Sequence, residues 1–232
     1  MDDLVAGRLP RPAVMAELAR TRPVFHSEAD LQHAVARTLW ELDREVQCRL
    51  EVRQTTSDGV EHLDLLCATA EGRTAVEFKY VKSAWSGAVG AGPSGEQYAL
   101  KAHGASDLAR RDFVFDVARL ERFCDRPDQN GLALMVTNTS ALWREPKPSA
   151  KLPRDHAFRL HEGGELTGEL LWGGGDYPPN TRVLRGTYPL RWQPYSIRPG
   201  AAGEFRYLAL FVEPGVTAPA EPDAWEADSR PA

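Results

Sequence analysis

Asp64, Glu77 and Lys79 are the residues of this chain whose types and spacing could do chemistry together. They lie in Gly59-Val-Glu-His-Leu-Asp-Leu-Leu-Cys-Ala-Thr-Ala-Glu-Gly-Arg-Thr-Ala-Val-Glu-Phe-Lys-Tyr-Val81, which reads as two short strands joined by a tight turn. Residues two apart on a strand point to one face, so Glu77 and Lys79 share a side of the sheet. A two- or four-residue loop centred on Ala70-Glu71 sets Asp64 opposite Glu77, whereas a three-residue loop turns Asp64 away. Opposed side chains have Cβ atoms roughly 4.5–5.5 Å apart. Two carboxylates that close repel unless positive charge lies between them. A divalent metal, with Lys79 beside it, supplies that charge.

The elements that must hold these residues are legible on either side. Ser27 is an N-cap with Asp30 three residues on, and Leu31, Val35, Leu39 and Leu42 recur at helical spacing to about Arg44. Glu28 continues the apolar stripe of this helix. It is either a first-turn acid favoured by the helix dipole or an acid aimed at something beneath the helix. Val46 to Arg53 alternates apolar and polar residues, and Asp58-Gly59 turns it into the Asp64 strand, so three antiparallel strands form a meander. A second helix is expected from an N-cap at Ser106, with Phe113, Val117, Leu120 and Cys124 inward. Arg110 extends that stripe, toward the site or toward an acid such as Asp107. Gly131 to Asn138 is a nearly continuous apolar run, as in a strand buried on both faces.

Helix, three-stranded meander, helix and buried strand, with Glu28, Asp64 and Glu77-Phe78-Lys79 in those places, resemble the PD-(D/E)XK nuclease superfamily over residues 25–140. Leu63 stands where that signature has its nominal proline. The resemblance implies an α/β chain with a mixed sheet: a restriction-endonuclease-like αβββαβ core with a β-rich C-terminal extension. It implies Mg²⁺, with Mn²⁺ as a substitute, on Asp64 and Glu77 and a backbone carbonyl near Phe78. Lys79 would activate the attacking water, and Glu28 would bind a second metal or order the metal's waters. Gln32, one turn beyond Glu28, and Arg110 would stand behind the metal or contact phosphate. The implied activity is a DNA endonuclease of bacterial defence or repair, with RNA left open as substrate and an ATPase or helicase as a partner. The competing reading is a catalytically inactive module of the same fold that binds nucleic acid or a partner protein.

The rest of the chain bounds these readings. With 232 residues, 42% hydrophobic and 26% charged, the composition is that of a globular protein. Residues 1–24 read as a loosely docked leader, 141–213 as a β-rich extension packed on the core, and 214–232 as a disordered acidic, Pro-rich tail. The net charge of −5 argues against tight non-specific nucleic-acid binding. Most of it sits in residues 213–232, where five acids face Arg230, leaving −1 for the remainder. The middle of the chain is locally basic through Lys101, Arg110, Arg111, Arg119, Arg122 and Arg126, either a phosphate-facing surface or a solvated face.

Cys48, Cys67 and Cys124 form no CxxC pair and read as reduced core residues of a cytoplasmic protein. No apolar run approaches the roughly 20 residues that span a bilayer. The Gly-rich stretch 83–104 lacks the Gly-Lys-Ser/Thr ending of a phosphate-binding loop and reads as a mobile loop or lid. No Gly-X-Ser-X-Gly is present for a serine hydrolase. His62 borders the Asp64 face or lies on the surface. Trp143, Trp172, Trp192 and Tyr195 are core residues or base-stacking platforms.

Overall fold

The computed structural model describes residues 3–56, 59–90, 95–147 and 152–215. It is a mixed α/β structure built on a six-stranded mixed sheet and three α-helices. The meander is β3 (Gln47–Thr56), β4 (Gly59–Ala68) and β5 (Arg73–Val81), with antiparallel pairing throughout. β8 (Gln129–Thr137) lies parallel to β5, and β12 (Glu204–Val212) and then β11 (Gln193–Ile197) extend the sheet antiparallel beyond it. The strand order is therefore β11-β12-β8-β5-β4-β3. β8 is buried along nearly its whole length, as its unbroken apolar run predicts.

One face of the sheet is covered by α1 (Arg11–Thr21) and α2 (Glu28–Leu42), the other by α3 (Ser106–Phe123). Strand alternation sorts β5 between the two cores. Val76, Phe78 and Tyr80 pack with Leu31, Val35 and Leu39 of α2, and Ala75 and Val81 pack with Phe113, Val117 and Leu120 of α3. Glu77 and Lys79 thus occupy the α3 side, where apolar residues would otherwise complete the core.

The Ser27 side chain caps α2 by accepting from Asp30 N at 3.2 Å, as expected. α3 differs from the expected start: its N-cap is Ala105, with no side-chain cap, and Ser106 is its first helical residue. Residues 3–24 are not a loose leader. The short strands β1 (Leu4–Val5) and β2 (Leu9–Pro10) pair, Val14, Met15 and Leu18 of α1 are buried, and Tyr195 Oη donates to Arg22 O at 2.6 Å. The stretch taken for a mobile loop holds a hairpin, β6 (Trp85–Val89) with β7 (Glu96–Leu100), whose Trp85, Tyr98 and Leu100 enter the α2-side core. Those aromatics outweigh the glycines around them.

The C-terminal third does not merely pack on the core, since β11 and β12 belong to the main sheet. β9 (Glu165–Leu170) and β10 (Arg182–Pro189) form a separate ribbon over α3. It is tied down by buried Glu121, which accepts from Arg185 N, Gly186 N and Tyr188 Oη. Within the stretch read as a β-rich extension, His156–Phe158 forms a short 3₁₀ turn. Trp143, Trp172, Trp192 and Tyr195 are all core residues and not stacking platforms. The three cysteines are free thiols, with Cys48 and Cys67 facing each other across β3 and β4. The acidic tail from 216 on lies outside the described residues. No helix among the described residues is long and apolar enough to cross a membrane.

One close approach seats α3. A Cβ built on Gly131 of β8 would meet Leu120 Cβ at 2.9 Å and Cys124 Sγ at 3.3 Å, so the helix lies as near the sheet as a bare Cα allows. Gly131→Ala is expected to destabilise by about 1–3 kcal/mol through overpacking. Urea unfolding of the purified variant measures the loss, and an unchanged midpoint would mean α3 has room to shift.

Candidate active site

The hairpin register is the one that brings the carboxylates together. Ala68 pairs with Arg73, Cys67 with Thr74, Leu66 with Ala75 and Leu65 with Val76, around a four-residue loop. The next pair in this register is Asp64 with Glu77, and there the ladder stops. The β3–β4 ladder is also interrupted at this level, between Leu50↔Leu65 and Val52↔Leu63, opposite Glu51 in the left-handed region at φ 53°. The alternation of faces is disturbed there: Leu65 packs in the α2-side core and Leu63 in the α3-side core.

Opening the ladder leaves backbone N–H groups of β5 without a strand partner, and side-chain acids take their place. Asp64 Oδ2 accepts from Phe78 N at 2.8 Å, and Glu28 Oε2, from the first turn of α2, accepts from Tyr80 N at 2.7 Å. Glu28 is therefore aimed at the sheet beneath its helix.

Glu77 and Lys79 are each held by α3. Lys79 Nζ lies 2.6 Å from Asp116 Oδ2 and donates to Phe78 O at 3.0 Å. Arg119 Nη1 donates to Glu77 Oε2 at 2.7 Å and lies 3.7 Å from Asp116 Oδ1. The other oxygen of Glu77, Oε1, is buried with no hydrogen-bond partner among the described residues. Asp64 thus acts on Glu28, Glu77 and Asp116, and the cations facing these four carboxylates are Lys79 and Arg119, with Lys82 beside Glu28. The acids register this shortage. Burial, reinforced by Asp116, pushes the Glu77 carboxyl up to about 8 despite Arg119. Burial raises Asp116 to about 6 against the pull of Lys79, and raises Glu28 as well. Lys79 is raised too, which for a base favours the charged form: burial disfavours the ammonium, but Asp116, joined by Glu28 and Asp64, outweighs it.

Asp116 escaped the sequence reading, and Arg119 entered it only as one of the basic residues of the middle of the chain, although Asp116 left a signal. It lies three residues after Phe113 and four before Leu120, on the stripe that should be apolar, just as Glu28 does on α2. Arg110, on the same stripe, is not at the site. Its guanidinium is buried, donating to Asp155 Oδ2 at 2.7 Å and Ala141 O at 2.8 Å, and so pins α3 to the following loop. Gln32 is half-buried and makes no hydrogen bond among the described residues, and His62 is exposed.

No group of three or more His, Cys, Asp or Glu side chains is arranged to hold a metal ion among the described residues. Mg²⁺ seldom needs one, because one or two carboxylates plus waters and a substrate phosphate complete its shell. Asp64 and the unpartnered Oε1 of Glu77 fit that demand, and the surplus negative charge suits a hard cation.

The sign of the Glu77 effect on stability is fixed by its direction of shift. Between its ordinary 4.5 and about 8, the native chain holds a proton that the unfolded chain has released. The stabilisation is full below 4.5 and lost as pH rises through 8. Glu77→Gln should therefore be more stable than the wild type at pH 9, by on the order of a few kcal/mol, and nearly equal to it at pH 5. Thermal midpoints at the two pH values in EDTA measure this; equal midpoints at pH 9 would show the carboxylate to be fully compensated.

Comparison of the chain with protein-family models, curated proteins and solved structures found no match in any of the three.

Proposed function

We propose that the chain hydrolyses phosphodiester bonds of nucleic acid, DNA foremost, with a divalent metal at Asp64 and Glu77. The observation that carries this reading is the Oε1 of Glu77, buried without a hydrogen-bond partner among the described residues, in a site where four carboxylates outnumber the cations near them, Lys79, Arg119 and Lys82. An inert core has no reason to keep such a deficit, since burying unpaired charge costs several kcal/mol. The element order supports the same reading. Helix α2, the β3–β5 meander, helix α3 and strand β8 parallel to β5 follow the order expected of a restriction-endonuclease-like αβββαβ core.

Mg²⁺ bound there supplies Lewis-acid polarisation of the phosphoryl oxygens and an acidified water. Asp64 and Glu77 would hold it, while Arg119 steadies Glu77 through Oε2. Lys79, charged and anchored by Asp116 and Phe78 O, acts as a fixed positive group toward the attacking water and the developing phosphoryl charge, not as a base. Glu28 orders waters at the mouth of the site while bonded to Tyr80 N. Closure of both functional side chains into ion pairs favours a second reading, an inactive module of this fold that binds nucleic acid or a protein.

Incubation with plasmid DNA, single-stranded DNA and RNA, in Mg²⁺ or Mn²⁺ against EDTA, separates the two. Metal-dependent cleavage abolished by both Asp64→Ala and Lys79→Ala is the expected result; cleavage that survives them sinks the assignment, and none from the wild type supports the inactive module. Asp116→Asn keeps the shape but removes the anchor of Lys79. It should lower kcat about 10–100-fold, the usual cost of losing a group that orients a catalytic residue, with little change in KM. Steady-state cleavage of a labelled oligonucleotide measures it, and a full-speed Asn variant would leave Asp116 with a packing role only.

A further inference from the structure

Beside the carboxylates, between the C-terminal end of α3 and the β3–β4 hairpin, lies a cavity of about 250 Å³ walled by Arg73, Arg119, Arg122 and Arg126. Only two acids, Glu61 and Asp125, share its lining. We propose that this cavity binds a phosphate group of the strand that is cut, next to the reacting one; its placement on a strand rests on the nuclease reading, but its affinity for phosphate does not.

Chemistry, size and connection all support the assignment. Arginine presents planar donors that match phosphate oxygens, and four arginines in one small cavity are hard to explain as a solvated face. Their present partners do not exhaust them. Arg122 pairs with Glu61 at 2.5 Å, with both groups partly exposed. Arg73 Nη1 donates to the Gln129 side-chain oxygen at 2.9 Å, in the amide orientation that also lets Gln129 donate to Asp125 Oδ1 at 2.9 Å. The Nε of Arg119 is buried without a hydrogen-bond partner, and the exposed Arg126 side chain has neither a hydrogen bond nor an ion pair, among the described residues. The space is below the roughly 300–1,000 Å³ of sites for drug-sized ligands, so it suits a small anion better than a base and sugar. Arg119 is the link, lining the cavity while its Nη1 holds Glu77. A phosphate drawing on Arg119 would loosen its hold on Glu77, coupling occupancy of the cavity to the freedom of the metal-binding carboxylate.

The test uses the full chain in EDTA at constant ionic strength, with inorganic phosphate as the probe. Calorimetry should give saturable binding, weakened about tenfold by Arg126→Gln, the loss of one charge-assisted partner. Arg37→Gln, the same charge change on exposed α2, should leave it unaltered. Absence of saturable binding, or an equal loss in both variants, overturns the proposal. Single-stranded oligonucleotides with 5′-phosphate or 5′-hydroxyl ends then name the source. A preference for the phosphorylated end, lost in Arg126→Gln, assigns a chain terminus; equal affinity, reduced alike by Arg126→Gln, assigns an internal diester; affinity untouched by Arg126→Gln overturns the site. Asp64→Ala should bind phosphate as the wild type does. A chain that cuts nothing yet binds phosphate therefore keeps this site, and one that cuts without binding phosphate loses only this inference.

Discussion

Two N–H groups on one edge of β5, those of Phe78 and Tyr80, are satisfied by carboxylates and not by a neighbouring strand. A buried N–H must find an acceptor, so when the β4–β5 ladder ends at Leu65 and Val76 something else must supply it. Asp64 supplies it from the diverging strand and Glu28 from the first turn of α2. This substitution ties α2, β4 and β5 together at one point. It also draws two negative charges to a place where Glu77 and Asp116 already sit. The surplus of carboxylates is thus a consequence of how the sheet opens.

Such a surplus is costly, and the molecule limits it without removing it. Lys79 and Arg119 each take one acid, and protons that Glu77 and Asp116 retain unusually well offset part of the rest. Metal ion, proton and arginine are in this sense competitors for the same charge. Metal binding would release protons from the acids it engages, as expected where a ligand must be deprotonated to bind.

Helix α3 carries more of the site than its residues announce. Seated closely on Gly131, it brings Asp116 and Arg119 over Lys79 and Glu77, ends at the arginine-walled cavity, and anchors the β9–β10 ribbon through Glu121. Another inward-facing charge of the helix, Arg110, goes to the segment after β8 and not to the site where Asp116 lies. The pattern alone could not separate the two uses, because both side chains satisfy helical spacing and differ only in what the neighbouring segments present.

The sequence by itself determined the local elements of the core and that β4 and β5 form a hairpin. Helical spacing, the Ser27 cap and strand alternation are short-range properties, and they offered a register with Asp64 opposite Glu77; the four-residue loop of the folded hairpin selected it over the three-residue alternative. Tertiary structure decided which charges meet. Asp116 and Lys79 are separated by more than thirty residues, and no local pattern encodes the helix-to-sheet distance that lets their atoms approach. It likewise decided that residues 3–24, the β6–β7 hairpin and β11–β12 join the core. A local apolar run such as Phe205 to Val212 marks an element, but which surface buries it is set by contacts distant in sequence, which no local period encodes.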